Sequence, residues 1–273
     1  MEGSRVKDDE VFLALIGDEK ASAFLSQIDE RILSGFAPLE KGTVLQFGCT
    51  TLSLTEGLLD LIGGSGRIVV VDPRLPLLDA VRFRTGRGHQ GKVFFKSNLD
   101  WKRIPFDDEV FRSVVSALFW DQSPNRLRTL SDLHRVLLPG GDVALATHSQ
   151  GSFAEFYDLY AETLTKFDLL HLTQSLQAAR GAHPGADEAR DLLVECGFTR
   201  PSFEDVETRL EFRNSKEIFE SPLVKALFMP LWTSIGADES EHVLWHVRQA
   251  WDRYFSGRPL RLTARTAILR GYR

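Results

Sequence analysis

Short apolar runs alternate with longer segments of helical spacing along the first half of the chain, and this alternation constrains the fold most. Thr43-Val-Leu-Gln-Phe-Gly48 is followed by helical spacing from Leu52 to Ile62, and then by Arg67-Ile-Val-Val-Val-Asp72. A strand buried on both faces is apolar throughout, and strands separated by helices pair in parallel. The order therefore predicts an α/β, doubly wound sheet with helices on both faces.

Further elements extend this pattern. Helical spacing predicts helices within residues 8–36, at Leu75–Thr85 and at Leu127–Leu138, the last stopped by Pro139-Gly140-Gly141. Apolar runs predict strands at Val93–Lys96, Val110–Leu118, Asp142–Thr147, Val206–Phe212 and Leu260–Leu269. We therefore expect a seven-stranded, mostly parallel sheet. Its ligands should bind beyond the carboxyl ends of the strands, near the reversal of strand order.

Two helical insertions rich in aromatic residues interrupt the second half of the chain, at about residues 149–178 and 215–255. Two interpretations remain open. The rings could form the cores of accessory helical layers, or they could form a lid that walls an apolar substrate pocket. The predicted organisation is an N-terminal helical segment, residues 1–40, followed by one domain over residues 41–273 that contains both insertions.

Composition and charge exclude several classes of protein. With 273 residues and 43% hydrophobic residues, the chain is long and apolar enough to form a core. A net charge of −5 gives it no general attraction to nucleic acid or to anionic lipid. Cys49 and Cys196 are too few for a disulfide framework. Because no signal peptide or membrane-length apolar run is evident, we expect a soluble, cytoplasmic protein.

Five short motifs carry a resemblance to a known family. They are Val44-Leu-Gln-Phe-Gly-Cys-Thr-Thr-Leu52, Val69-Val-Val-Asp-Pro73, Ile104-Pro-Phe-Asp-Asp-Glu-Val-Phe111, Leu133-His-Arg-Val-Leu-Leu-Pro-Gly-Gly141 and Leu193-Val-Glu-Cys-Gly-Phe198. In this order and at this spacing, the chain resembles a class I S-adenosylmethionine-dependent methyltransferase of the ubiquinone/biotin-pathway type. The resemblance implies a Rossmann-like sheet with an antiparallel last strand, a helical lid and S-adenosylmethionine as cofactor.

The first loop departs from the family pattern, which reads acid-x-Gly-x-Gly-x-Gly. Those positions hold Gln46, Gly48, Thr50 and Leu52. Glycine there lets the backbone approach the cofactor closely, whereas a β-branched threonine resists positive φ and adds bulk. Gln46 also brings no negative charge, and Arg112 stands where the family has a second acid. These changes predict a cofactor site that is weakened or lost within an unchanged fold.

The resemblance implies which residues would hold the cofactor. The first loop contributes Gln46, Gly48, Cys49 and Thr50, and the tip of the second strand contributes Asp72 and Pro73. A carboxylate can accept hydrogen bonds from both vicinal hydroxyls of a ribose. The alternative role for Asp72 is to cap the helix that follows it.

The remaining candidates follow the third, fourth and fifth strands. Either Asn98-Leu99 or Asp100-Trp101 would face the adenine, the alternative being an ordinary Asx turn. Leu118-Phe119 would close the pocket, stacking on a ring or plugging an empty site. His148 is placed as a general base would be, although a structural role is the other interpretation. No metal site is assigned, because the histidines lack metal-ligand spacing.

Three functional hypotheses are consistent with these observations. The first is a methyltransferase acting on a small apolar or aromatic molecule. The second is a catalytically silent methyltransferase-fold scaffold, which the degenerate loop favours, and the third is an enzyme with a different reaction on the same fold. The expected partners are a small-molecule substrate and either a second copy of the chain or another protein, without nucleic acid or a membrane span.

Overall fold

The computed structural model of the chain describes residues 10–89, 91–256 and 258–273. Contacts divide the chain into two compact units, and each is described by itself. The sheet unit comprises residues 22–147, 185–206 and 267–273, and the helical unit comprises residues up to 21, 148–184 and 207–266. Residues 10–15 are helical, and the chain turns at residues 16–17.

The first five strands are parallel, as the alternation of strands and helices predicts. They are β1 (Thr43–Phe47), β2 (Arg67–Val71), β3 (Val93–Lys96), β4 (Phe111–Ala117) and β5 (Leu137–His148). The helices before and between them are α1 (Glu19–Leu33), α2 (Ser53–Leu61), α3 (Leu75–Thr85) and α4 (Arg126–Val136).

The strand order of the seven-stranded sheet is β3-β2-β1-β4-β5-β7-β6, where β6 is Thr199–Phe212 and β7 is Leu260–Tyr272. β1 lies between β2 and β4, so the direction of winding reverses beside β1 as predicted. At such a reversal the turns at the carboxyl ends of the strands diverge and leave room for a ligand. β7 runs antiparallel to β5, since Gly140 and Gly141 pair with Arg273 and Ser149 pairs with Arg265. The mostly parallel sheet with antiparallel last strands is confirmed.

Several predicted boundaries are wrong: β6 begins at Thr199 rather than Val206, β7 continues beyond Leu269 to Tyr272, and β5 begins at Leu137 rather than Asp142. The helix expected to continue to Leu138 ends at Val136, and Leu137 already has extended backbone as the first residue of β5. The Pro139-Gly140-Gly141 turn lies inside β5 as an irregularity of the pairing with β4. Proline cannot donate to a sheet, and Gly140 takes a φ of +73° that other residues rarely adopt.

The core of the sheet unit is formed by the apolar faces of β1, β4 and β5 and the helices packed on them. It includes Phe47, Phe111, Trp120, Leu133 and Leu145, all of them fully buried. Because these side chains fill the space behind the strands, the turns at the strand ends are held rigidly by the core.

The helical unit contains the predicted insertions. Its helices are α5 (Ala154–Lys166), α6 (Thr173–Arg180), α8 (Ser215–Glu220), α9 (Pro222–Leu227), α10 (Met229–Gly236) and α11 (Ser240–Tyr254), and α7 (Ala186–Glu195) belongs to the sheet unit. Phe156 stacks on Trp232 with ring centroids 3.8 Å apart, and the Trp251 ring lies 5.7 Å from Phe156, tilted by 47°. These rings form a core, as one interpretation held, whereas Phe167 and Trp245 are exposed. None of the described helices is long and apolar enough to cross a membrane.

Candidate functional site

The turn after β1 has the backbone conformation expected of the family's first loop. Gly48 has a φ of +89°, and its N–H donates to the carbonyl of Val71 at 2.7 Å. Only glycine adopts this φ without strain, which explains why one glycine of the motif is kept. The loop therefore begins where the cofactor loop of the family would begin, directly beside the end of β2.

Asp72, at the end of β2, has both carboxylate oxygens occupied by the protein itself. Oδ1 accepts from the backbone N–H and the Nε of Arg74, at 2.9 and 2.8 Å. Oδ2 accepts from Nη2 of Arg74 at 2.6 Å and from the N–H of Cys49 at 2.9 Å. Asp72 is 0% exposed. A bidentate guanidinium thus takes the two oxygens that a ribose diol would need.

The helix-capping alternative for Asp72 is wrong in its register. The N-cap of α3 is Arg74, which makes no side-chain cap, and the proline in the first turn is Pro76. Asp72 instead fixes the turn before the helix by accepting the N–H of Arg74, two residues on. Pro73 is half-buried in that turn.

The ring of Phe119 covers Gly48. A Cβ atom placed on Gly48 would lie 2.2 Å from Cγ of Phe119, so the ring leaves no space above this backbone. Leu118, the buried residue before it, has a φ of +52°, which is uncommon for a residue other than glycine. Trp101 lies 5.2 Å from the Phe119 ring, and the guanidinium of Arg74 lies 5.0 Å over it. The aromatic and the cation therefore support one another.

Gln46 is buried, and both the oxygen and the nitrogen of its side-chain amide are hydrogen-bonded within the protein. Thr55, in α2, donates its hydroxyl to Oε1 of Gln46 at 2.7 Å, and Nε2 of Gln46 donates to the carbonyl of Gly48 at 3.3 Å. An amide can accept and donate in this way, but a carboxylate could not donate to Gly48. The family's acid would therefore not fit this arrangement, so the glutamine is matched to its surroundings.

The rest of the loop is also buried. Cys49 and Leu52 are buried, and burial, followed by the charge of Asp72, raises the pKa of the Cys49 thiol. The hydroxyl of Thr50 is buried and has no hydrogen-bond partner among the described residues. These side chains take up the volume that glycines would leave empty.

Sequence reasoning missed Asp29, a buried residue of α1. Its two oxygens accept from the hydroxyls of Thr51 at 2.9 Å and of Ser53 at 2.6 Å. Burial raises the pKa of Asp29 to about 7, although these two hydrogen bonds oppose the shift. The signal that could have revealed it is the pair of hydroxyl residues beside the degenerate glycine positions.

The candidates after β3 lie at the edge of the same region. Asn98 and Asp100 are exposed, and Oδ1 of Asp100 accepts the N–H of Lys102 at 2.8 Å, which is the Asx-turn alternative. Leu99 and Trp101 are partly buried and pack against the core. The structure thus gives Trp101 an aromatic partner in Phe119 and leaves Asn98 at the surface.

His148 is the last residue of β5 and belongs to the helical unit. Its ring lies 4.8 Å from that of Phe228 and 5.2 Å from that of His183. Burial lowers the pKa of His148 to about 4, so the imidazole is neutral at pH 7 and is a weak base. Among the described residues, no group of three or more potential ligands could hold a metal ion.

The residues at the ends of β1, β2 and β4 do not fit S-adenosylmethionine in this arrangement. The oxygens of Asp72 are engaged by Arg74, and the backbone of Gly48 is covered by Phe119. Arg74 was not among the residues expected from the sequence. Its position two residues after the acid was the available signal, since an i, i+2 pair at a strand end can close on itself.

Comparisons with known proteins agree with the fold. Residues 44–141 match the family model for a methyltransferase domain. The ubiquinone/menaquinone biosynthesis C-methyltransferase UbiE of Pseudomonas paraeruginosa is 26% identical over 173 residues, which cover 60% of this chain and 67% of that protein.

Solved structures of similar fold cover most of the chain. A Bacillus halodurans C-125 protein assigned as a methyltransferase has a TM-score of 0.56 and 19% identity, covering 90% of this chain and 98% of its own. Phosphoethanolamine N-methyltransferase 2 of Haemonchus contortus, bound to phosphomonomethylethanolamine and S-adenosylhomocysteine, has a TM-score of 0.53 and 15% identity, covering 90% and 52%. A Haloferax volcanii complex, between the Trm112 methyltransferase activator and a protein assigned as a methyltransferase, gives 0.50 and 16%, covering 91% and 89%. At these identities the likeness concerns the fold alone.

Proposed function

Because this chain carries a class I S-adenosylmethionine-dependent methyltransferase domain, we propose that it has kept the fold and given up the cofactor, serving as a non-catalytic partner in a protein assembly. One observation carries the proposal. The acid that would hold the ribose is buried in a bidentate pair with Arg74, and Phe119 covers the glycine beside it.

The energetics of the pair support this proposal. For a nucleoside to reach Asp72, the guanidinium of Arg74 would have to leave a buried carboxylate and a stacked aromatic ring. Breaking a buried ion pair costs about 3–5 kcal/mol, which would weaken a ligand's binding by roughly two to three and a half orders of magnitude in the dissociation constant. The altered loop offers no compensating charge, since Gln46 is already engaged on both sides.

A role in an assembly is supported by the departures from the family and by one structural neighbour. The Haloferax volcanii protein of similar fold is bound by another protein, which is precedent for this fold in a two-protein complex. The net charge of −5 gives no reason to expect nucleic acid as the partner.

The second candidate is a methyltransferase acting on a small apolar or aromatic molecule. The observation that favours it is the match over residues 44–141 and the similarity to a quinone-biosynthesis C-methyltransferase. Under this alternative, Arg74 and Phe119 would have to move away from Asp72 and Gly48 before a cofactor could bind.

Calorimetric titration of the purified chain with S-adenosylmethionine and S-adenosylhomocysteine distinguishes the two candidates. The proposal expects no saturable heat at about 1 mM ligand, which corresponds to a binding free energy weaker than about −4 kcal/mol. Saturable micromolar binding by the unaltered protein would overturn it in favour of the methyltransferase.

A double variant tests the cause. Arg74→Gln with Phe119→Ala frees Asp72 and uncovers Gly48, so measurable cofactor binding should appear in this variant. The matched control is Arg84→Gln with Phe83→Ala, an exposed pair on α3 that should leave binding absent. Thermal unfolding of each variant establishes that it is folded. A folded double variant that still fails to bind contradicts the assignment of the block to these two side chains.

A further inference from the structure

A concave cleft lies wholly within the helical unit. It is a cleft of about 360 Å³ between α5 and α11, within the range of small-molecule sites. Its walls include Glu162, Lys166, Phe167, Trp245, Arg253 and Tyr254. None of these residues has a part in the site at the ends of β1 and β2, so the cleft requires its own explanation.

The aromatic walls of the cleft are exposed to water. Phe167 is 41% exposed, Trp245 is 54% exposed and Tyr254 is 60% exposed, whereas Trp251, on the same helix α11, is 1% exposed. Leaving apolar surface in water forfeits roughly 25 cal/mol for each Å². Three large rings gathered at one cleft therefore indicate a binding surface better than three scattered ones would.

These rings are held in place before any ligand arrives. His246 stacks on Phe167 with centroids 3.7 Å apart and planes at 29°. Trp245 meets the same imidazole edge to face at 4.8 Å. Because the rings support one another, little side-chain entropy remains to be lost when a flat ligand binds between them.

The charges at the cleft favour an anion. The carboxylate of Glu162 accepts the hydroxyl of Tyr254 and is thereby engaged. Lys166 and Arg253 make no hydrogen bond or ion pair with any described residue, and the Lys166 ammonium lies 5.8 Å from the Phe167 ring. The pKa of His246 is lowered, first by burial and then by His242 and Lys166. The positive charge of Lys166 therefore acts on a side chain in the wall of the cleft. Two cations that have no hydrogen bond or ion pair with the described residues thus stand beside the exposed rings.

We propose that this cleft is a binding site for a planar aromatic anion, whose ring packs against Phe167, Trp245 and Tyr254 and whose acidic group pairs with Lys166 and Arg253. Aromatic faces supply the area, and the two cations supply the orientation. The site is independent of the cofactor position, so it stands whether the chain is an assembly partner or an enzyme.

The test uses naphthalene-2-carboxylate as the probe and naphthalene-2-methanol as its neutral twin. For a ligand of this size we expect a dissociation constant on the order of 0.1–1 mM for the anion, measured by calorimetry and by saturation-transfer NMR. The neutral twin should bind at least about tenfold more weakly, since one charge-assisted contact is worth about 1.4 kcal/mol or more.

Variants place the probe. Trp245→Ala and the double variant Lys166→Gln/Arg253→Gln should each weaken binding of the carboxylate about tenfold or more. The matched controls are Phe83→Ala and Lys225→Gln, an exposed ring and an exposed cation outside the cleft, which should change nothing. The proposal is overturned if the carboxylate shows no saturable binding at about 10 mM, if it binds no better than the alcohol, or if the cleft variants bind it as the unaltered chain does.

Discussion

Two regions of this molecule combine the same kinds of side chain to opposite effect. At the ends of β1 and β2, a carboxylate, a cation and an aromatic ring, Asp72, Arg74 and Phe119, contact one another and are buried. At the cleft of the helical unit, the carboxylate of Glu162 is engaged by a tyrosine, while two cations and three rings face water. Residue types alone indicate a candidate site, but a ligand can bind there only where these charges and rings are not already buried against one another.

The physical reason is the dielectric surroundings of each group. A charge pair removed from water is stable only when both members are present and hydrogen-bonded. An exposed charge is solvated and contributes little to stability, so it can exchange water for a ligand at small cost. Substitutions in the first region should therefore lower the free energy of unfolding, whereas substitutions in the second should weaken ligand binding.

The largest effect is expected from Asp72→Ala. The substitution leaves the mostly buried guanidinium of Arg74 without its carboxylate and removes the acceptor of the Cys49 N–H. Loss of one member of a buried pair costs about 3–5 kcal/mol in the free energy of unfolding. Urea denaturation measures the difference directly.

The matched control for Asp72 is Asp79→Ala. Asp79 also pairs with an arginine of α3, Arg82, but both side chains are more than half exposed. Exposed pairs contribute about 0–1 kcal/mol. If the two substitutions destabilise the chain equally, the Asp72–Arg74 pair contributes no more to stability than an exposed pair does. The proposed contrast between the two regions is then wrong.

The fold could be predicted from the sequence more completely than the candidate site could. The strand over Val93–Lys96 was predicted to the residue, and the helix expected around Leu75–Thr85 forms there, because burial imposes a period on every position of an element. The turn at Pro139 was placed outside the strand, because a bulge depends on pairing with β4, which no local pattern records.

The sequence predicted where the candidate site residues lie in the fold, but it did not predict the contacts that their side chains make. Gly48, Asp72 and Phe119 do lie together at the strand ends, as parallel topology requires. Arg74 was missed because a side chain that folds back on its own turn leaves no periodic signal. The cleft was missed because the aromatic residues of the insertions read alike, and only tertiary packing separates the buried Trp251 from the exposed Trp245.

A second effect should appear in the pH dependence of stability. Folded Asp29 keeps its proton to about pH 7, whereas an ordinary aspartate loses it near 3.8. The stability that this group contributes is therefore present below about 3.8 and is lost as pH rises toward 7. The total is roughly 4 kcal/mol at most, since one pKa unit corresponds to about 1.4 kcal/mol. Asp29→Asn should remove this loss, so that the variant gains stability relative to the unaltered chain between pH 4 and pH 8.

Comparing Asp29→Asn with the unaltered chain also cancels the contribution of His148, whose effect on the pH dependence of stability has the opposite sign. Burial lowers the pKa of His148 to about 4, so its contribution is present above about 6.5 and is lost as pH falls toward 4. Both proteins carry His148, and only the difference between their denaturation midpoints reports Asp29. A difference that does not change from pH 4 to pH 8 would mean that Asp29 titrates normally, and that the loop region is more open to water than its burial indicates.

The smallest effect on stability is expected from Trp245→Ala, a substitution that is proposed to weaken binding at the cleft. Trp245→Ala removes a ring that is 54% exposed, and surface substitutions change stability by about 0.5 kcal/mol. Trp251→Ala, on the same helix, removes a ring that is 1% exposed and should cost about 3–5 kcal/mol. Urea denaturation of the two variants compares one residue type in one helix, so helix propensity cancels and exposure alone differs. A loss of several kcal/mol in Trp245→Ala would make that tryptophan part of the fold, and its exposure at the cleft could no longer be explained by a ligand.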